Sequence, residues 1–187
     1  IYYGIKTGLN EAFVIDAATR ERLIAEDERS AEVIKPFLAG RDVKRYIAPK
    51  GDKYLILFPK GWTKGQFGDL VEVEAFAALE GLYPAVAQFL APFAEKGRSR
   101  YDKGDYWWEM RACDYYGEFE KSKIIYAEIA TQGQFMIDDS AFLDTTAYML
   151  KSDSLGFLGV LNSRLFTFIF SNVSSTIRGG FLRWKKQ

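Results

Sequence analysis

Short apolar runs of strand-like composition are interspersed with stretches of helical period, and no regular βαβ alternation orders them, which points to a mixed α+β architecture with mainly antiparallel strands. KYLILFPKG (53–61), KIIYAEIA (123–130), FMIDDS (135–140) and TTAYMLKS (145–152) read as strands, bounded by Pro, Gly or polar turns. The opening GIKTGLNEAFVID (4–16) has glycines around a lysine and a threonine but is no phosphate-binding loop, because Lys6 and Thr7 precede Gly8 rather than follow it. IYYGI and AFVI on either side are strand-like, so KTGLN is expected to connect a β-hairpin, with Gly8 at a positive φ.

ATRERLIAEDERSAEVIKPFLAG (18–40) predicts a charged helix capped by Thr19 and stopped at Gly40. GDLVEVEAFAALEGLYPAVAQFLAPFAEKG (68–97) predicts two helices, the second begun by Pro84 and presenting Val86, Phe89, Leu90 and Phe93 on one side. SLGFLGVLNSRLFTFIF (154–170) is apolar enough for a buried helix started by Ser154, and SSTIRGGFLRW (174–184) reads as a glycine-broken basic loop. No repeat, low-complexity tract or linker divides the chain, so residues 1–187 are expected to form one domain.

The sequence holds no histidine, which removes Ser-His-Asp and Cys-His nucleophiles, HExxH metal hydrolysis and His-dependent nucleases together. Its single cysteine, Cys113, permits no internal disulfide and lacks partners for a zinc site. No apolar run reaches the roughly 20 residues a membrane span needs, so a soluble, cytoplasmic protein with no membrane partner is expected. A start without Met inside an apparent strand suggests a piece of a longer polypeptide.

Basic and acidic residues balance at 25 each, which is unlike a free-standing basic nucleic-acid binder. The distribution is uneven. Ser154 to Gln187 holds five basic residues and no acid, whereas Asp69 to Glu80 holds four acids and no base. For contact with DNA the candidates are Arg98, Arg100, Lys103 and Arg111 beside the tryptophans, Gln132 and Gln134 in the turn TQGQ, and Arg178 and Arg183 around Gly179-Gly180. The same residues also suit a solvated surface, with Arg111 paired to Glu109 or Asp114. Two other readings stay open: Asp42-Val43-Lys44 has the D-x-K shape of half a Mg²⁺ nuclease motif, and the aromatic cluster from Tyr106 to Tyr116 suits a protein-docking module. Methyl transfer fails on parts, because no proline is followed by another and no glycine-rich loop follows a strand.

Four blocks in order, GIKTGLNEAFVID, IKPFLAGRDVKRY, YWWEMRACDYYGEFEKSKIIYAEIA and LGVLNSRLFTFIFSNVSSTIRGG, resemble the TaqI-like C-terminal specificity domain. This is the target-recognition domain that follows the catalytic domain in adenine-N6 DNA methyltransferases and type IIG restriction-modification enzymes. The resemblance implies a non-catalytic fragment that reads double-stranded DNA, holds no cofactor or metal, and partners an N-terminal methyltransferase domain that binds S-adenosylmethionine. Whether the parent chain also cleaves DNA is left open. The resemblance carries Lys6, Thr7, Asn10, Arg41, Lys44, Arg45 and Arg178 over as contacts from GIKTGLN, GRDVKR and IRGG, and matches Trp108 and Arg111 to a W-x-x-R block. Base readout is expected from the unmatched loops RSRYDKGDY and TQGQ.

Overall fold

A computed structural model describes residues 1–47, 51–177 and 179–184. In chain order the elements are β1 (Tyr2–Tyr3), α1 (Asn10–Phe13), β2 (Val14–Asp16), α2 (Ala17–Glu26), α3 (Ser30–Val33), β3 (Ile34–Leu38), β4 (Lys53–Ile56), α4 (Trp62–Phe67), α5 (Glu72–Leu82), α6 (Pro84–Leu90) and α7 (Ala94–Ser99). There follow β5 (Lys123–Ala127), β6 (Ile129–Ala130), β7 (Phe135–Asp138), β8 (Phe142–Leu143), β9 (Ala147–Leu150), α8 (Leu155–Leu161), α9 (Arg164–Val173), β10 (Thr176–Ile177) and β11 (Phe181–Arg183). The architecture is α+β, as the order of elements predicts.

The residues gather into two compact units, a strand-rich one built from 1–5, 37–51 and 117–187 and a helix-rich one built from 6–36 and 52–116. Each is assembled from separated stretches of chain, which is why no linker marks a boundary in the sequence.

In the helix-rich unit, β2 pairs antiparallel with β4, Val14 opposite Leu55 and Asp16 opposite Lys53. Asp16 also caps α2 by accepting from the Thr19 N–H at 2.8 Å, so the cap lies three residues ahead of the expected Thr19. Pro84 starts α6 in its first turn, where a missing N–H costs nothing. Phe13, Leu23, Phe58, Leu79, Val86, Leu90 and Trp108 are fully buried and form the core. Gly97 is required by that packing: a Cβ there would lie 2.4 Å from the Trp107 ring.

In the strand-rich unit, a sheet runs β1-β9-β5-β7, antiparallel throughout, with Ile125 opposite both Met136 and Met149. A second small sheet runs β10-β11-β6. Phe37 and Leu38 of β3 pair in parallel with Phe142 and Leu143 of β8. Ile124, Phe135, Leu158, Leu161, Leu182 and Trp184 make the core, and Phe170 of α9 stacks on Trp184 with ring centroids 4.1 Å apart.

Several expectations change, including the two helices expected over 68–97, which are followed by a third, α7. The first strands form no hairpin: β1 pairs with β9, and Asn10–Phe13 between β1 and β2 is a helical turn. The charged helix ends early, because Ile34–Leu38 is taken into a strand that pairs with Phe142 and Leu143, far away in sequence. The apolar helix from Ser154 is two helices: Ser154 caps the first, and Ser163 caps the second by accepting from the Phe166 N–H at 3.0 Å. α9 is also largely exposed, with Leu165, Phe168, Ile169 and Val173 each more than half accessible, while Phe166 and Phe170 pack inward.

Candidate nucleic-acid interface

Lys6, Thr7, Asn10, Arg98, Arg100, Lys103, Trp108 and Arg111 all fall in the helix-rich unit. The segment between β1 and α1 turns at Gly8, whose φ of +70° suits a residue without a Cβ. Thr7 is buried, and its hydroxyl donates to Asn10 Oδ1 at 2.5 Å and accepts from the Leu9 N–H at 3.1 Å. These bonds fix the loop and leave Lys6 exposed, its Nζ 2.9 Å from Asp102.

Arg100 is only 6% exposed. Its guanidinium donates to the Thr7, Trp107 and Glu109 carbonyls, the second at 3.0 Å, and lies 4.3 Å over the Phe13 ring. Burial pulls its pKa down to about 10, partly opposed by Asp102. This corrects the expectation that Arg100 reads a base: three of its donor directions are spent on carbonyls inside the unit. Trp108 is likewise internal, its indole N–H donating to Thr63 Oγ1 at 2.9 Å. The buried Glu109 carboxylate accepts from the Gly61, Thr63 and Asp105 N–H groups between 2.8 and 3.1 Å. With Tyr106, Trp107 and Trp108 buried around this scaffold, those rings are not available to anchor a partner protein.

The remaining candidates of this unit lie nearer the surface. Arg98 pairs with Glu72 at 2.6 Å, and Lys103 donates to the Arg98 and Arg100 carbonyls at 2.9 and 3.1 Å. Arg111, half-buried, lies 3.6 Å from Asp102.

Arg41, Lys44, Arg45, Gln132, Gln134 and Arg183 fall in the strand-rich unit, and Arg178 lies outside the described residues. Gly40–Asp42 is a single 3₁₀ turn closed by Asp42, whose Oδ2 accepts from the Ala39 N–H at 2.8 Å. That capping role occupies the carboxylate offered as a metal ligand, and among the described residues no group of three or more His, Cys, Asp or Glu side chains could hold a metal ion. The turn projects Arg41 with its side chain 77% exposed, and Lys44 follows it at the surface. Arg45 turns inward: it donates to the Asn162 carbonyl and lies 5.3 Å over the Tyr46 ring. Tyr46 itself has φ +60°, a left-handed backbone in a non-glycine residue, and its ring is exposed beside Ile47.

The turn holding Gln132 and Gln134 is tied to α9 by the Gly133 N–H, which donates to Thr167 Oγ1 at 3.2 Å. Gln132 is exposed and Gln134 half-buried. The expected glycine-broken loop is a tight hairpin, β10 to β11, with Gly179 and Gly180 at φ +87° and +79°. Arg183 on β11 lies 3.7 Å from Glu128.

Glu128, passed over when only basic and amide side chains are collected, lines an open cleft of about 440 Å³ with Arg41, Ile129, Asp144 and Thr146. A lone carboxylate interrupting an apolar strand, KIIYAEIA, is the signal that marks it.

The family model of the TaqI-like C-terminal specificity domain matches residues 35–187, so three of the four resembling blocks lie in the match or nearly so and GIKTGLNEAFVID lies ahead of it. No curated protein sequence matches the chain. Among solved structures, the Type IIL restriction-modification enzyme MmeI in complex with DNA matches 98% of this chain and 23% of its own, with a TM-score of 0.59 and 12% identity. At that identity the likeness is one of fold, and the chain spans less than a quarter of that enzyme's length.

Proposed function

Because the chain belongs to the TaqI-like C-terminal specificity domain family, we propose that it recognises a DNA target for a restriction-modification enzyme and does no chemistry itself. In the finer form of this reading the enzyme is a cytoplasmic adenine-N6 methyltransferase whose catalytic domain binds S-adenosylmethionine, and this domain holds the duplex while the adenine leaves the stack. Extruding a base costs a few kcal/mol, which contacts on the surrounding duplex offset. The observation that carries the reading is the family match, which includes the projecting turn with Arg41 and Lys44.

Exposed guanidinium and ammonium groups on and beside a short, capped turn suit phosphate contact, Arg41 giving up only a 3.8 Å ion pair with its neighbour Asp42. Arg41→Ala and Lys44→Ala in the full-length protein are expected to weaken binding to all duplexes alike. Each should lower the slope of log K against log salt by about 1, the share of one phosphate no longer neutralised. Slopes indistinguishable from the unaltered protein would remove these residues from the interface.

A second reading, a protein-docking role, is favoured by the outward apolar face of α8 and α9, where Leu155, Val160, Leu165 and Phe168 are exposed. Within a larger enzyme the two readings are compatible.

A further inference from the structure

The cleft around Glu128 combines features that a purely structural surface does not need. Glu128 sits at the bend between β5 and β6, where its backbone is held on both sides: its N–H donates to the Thr146 carbonyl at 2.8 Å and its carbonyl accepts from the Trp184 N–H at 2.6 Å. Its side chain is only 21% exposed, yet among the described residues its carboxylate accepts no hydrogen bond; the Arg183 guanidinium lies 3.7 Å away, and the Glu128 charge is also felt by the Tyr148 phenol. The neighbouring acid is different. Asp144 is engaged by the Thr146 N–H and hydroxyl at 2.8 and 2.5 Å. A half-covered carboxylate without donors, lining an open cleft beside the projecting Arg41, is positioned to accept a hydrogen bond from outside.

We infer that this cleft is a base-reading site in which Glu128 accepts from the exocyclic amino group of a cytosine in the major groove. The inference rests on the DNA-recognition reading above. Phosphates repel a carboxylate, so on a DNA-facing surface it adds nothing to general affinity and discriminates by demanding a donor. Cytosine N4 is such a donor, flanked by the O6 acceptor of its paired guanine on one side but only by C5–H on the other. Adenine N6 stands beside the N7 acceptor, which repels a carboxylate and is matched instead by an amide. The Arg183 guanidinium, 3.7 Å away, offsets part of the repulsion between the Glu128 carboxylate and the polyanion.

The test is selection of duplexes from a randomised pool by the full-length protein, comparing the unaltered form with Glu128→Gln and Glu128→Ala. The unaltered protein is expected to require cytosine at one position of its site. Glu128→Gln should move that position toward adenine, and Glu128→Ala should abolish the preference there by about tenfold while leaving the other positions intact. An unchanged selected sequence in both variants overturns the inference, as does an equal loss of preference at every position, which is the mark of a scaffold residue. The near-isosteric Gln variant keeps the test valid if the Ala variant folds poorly. Failure of the unaltered protein to enrich any sequence overturns the DNA-recognition reading itself, and this inference with it.

Discussion

Arg100 shows how a residue type that suggests a ligand contact can serve the fold. A guanidinium carries five donors in a fixed plane, and here that plane ties three carbonyls from the N-terminal loop and the tryptophan segment into one knot over Phe13. Arg100→Lys supplies a point charge unable to span the three, and Arg100→Ala leaves them without donors. A loss of about 3–5 kcal/mol is expected for the Ala variant, read from denaturant unfolding. Burial depresses its pKa, so the unfolded chain binds this proton more tightly; the cost is present below about pH 10 and fades as pH rises past it. Asp16 has the opposite sign. Hydrogen bonds from Thr19 hold its carboxyl below the usual range, so its contribution to stability is present at neutral pH and is lost as pH falls through the folded value. Asp16→Asn keeps a capping oxygen but no titration, and should flatten the acid limb of a plot of unfolding midpoint against pH.

At the scale of elements, α9 is the informative case. Its two apolar faces have different fates: Phe166 and Phe170 meet Trp184, while Leu165 and Phe168 face outward. Phe168→Asp is therefore expected to change stability by no more than about 0.5 kcal/mol, whereas truncating the buried Phe135 beneath the helix, as Phe135→Ala, costs about 3–5 kcal/mol by thermal or chemical unfolding. Apolar composition announces this helix in the sequence but says nothing about which face is covered. The strands KIIYAEIA and FMIDDS were legible because their β-branched and aromatic runs pair with each other across one short turn. IKPFL was not, and IYY was legible as a strand but not in its pairing, since their partners, Phe142–Leu143 and Tyr148–Met149, lie more than a hundred residues away and local pattern carries no trace of them. The candidate site divides the same way: Arg41 and Lys44 stand exposed in the GRDVKR turn, and Arg100 and Trp108, read from an aromatic and basic density, are where the chain stores its internal hydrogen bonds.

At the scale of the molecule, the family match and the element order agree on an α+β specificity domain in which the described residues fall into two compact units. Stability in the strand-rich unit depends on distant segments: β1 adds to the edge of β9, and Gly40 donates its N–H to Thr146 Oγ1 at 2.8 Å. Residues 117–187 produced alone would lack both. Such a fragment is expected to show no cooperative thermal transition in calorimetry, whereas the whole chain unfolds with one or more sharp ones.

The polypeptide passes between the two units after residues 5, 36, 51 and 116. A single crossover between relatives anywhere from residue 6 to residue 116 would therefore hand down neither unit whole, and the offspring would inherit units assembled from two parents. Exchange of side chains in place avoids that mismatch and leaves both frameworks whole.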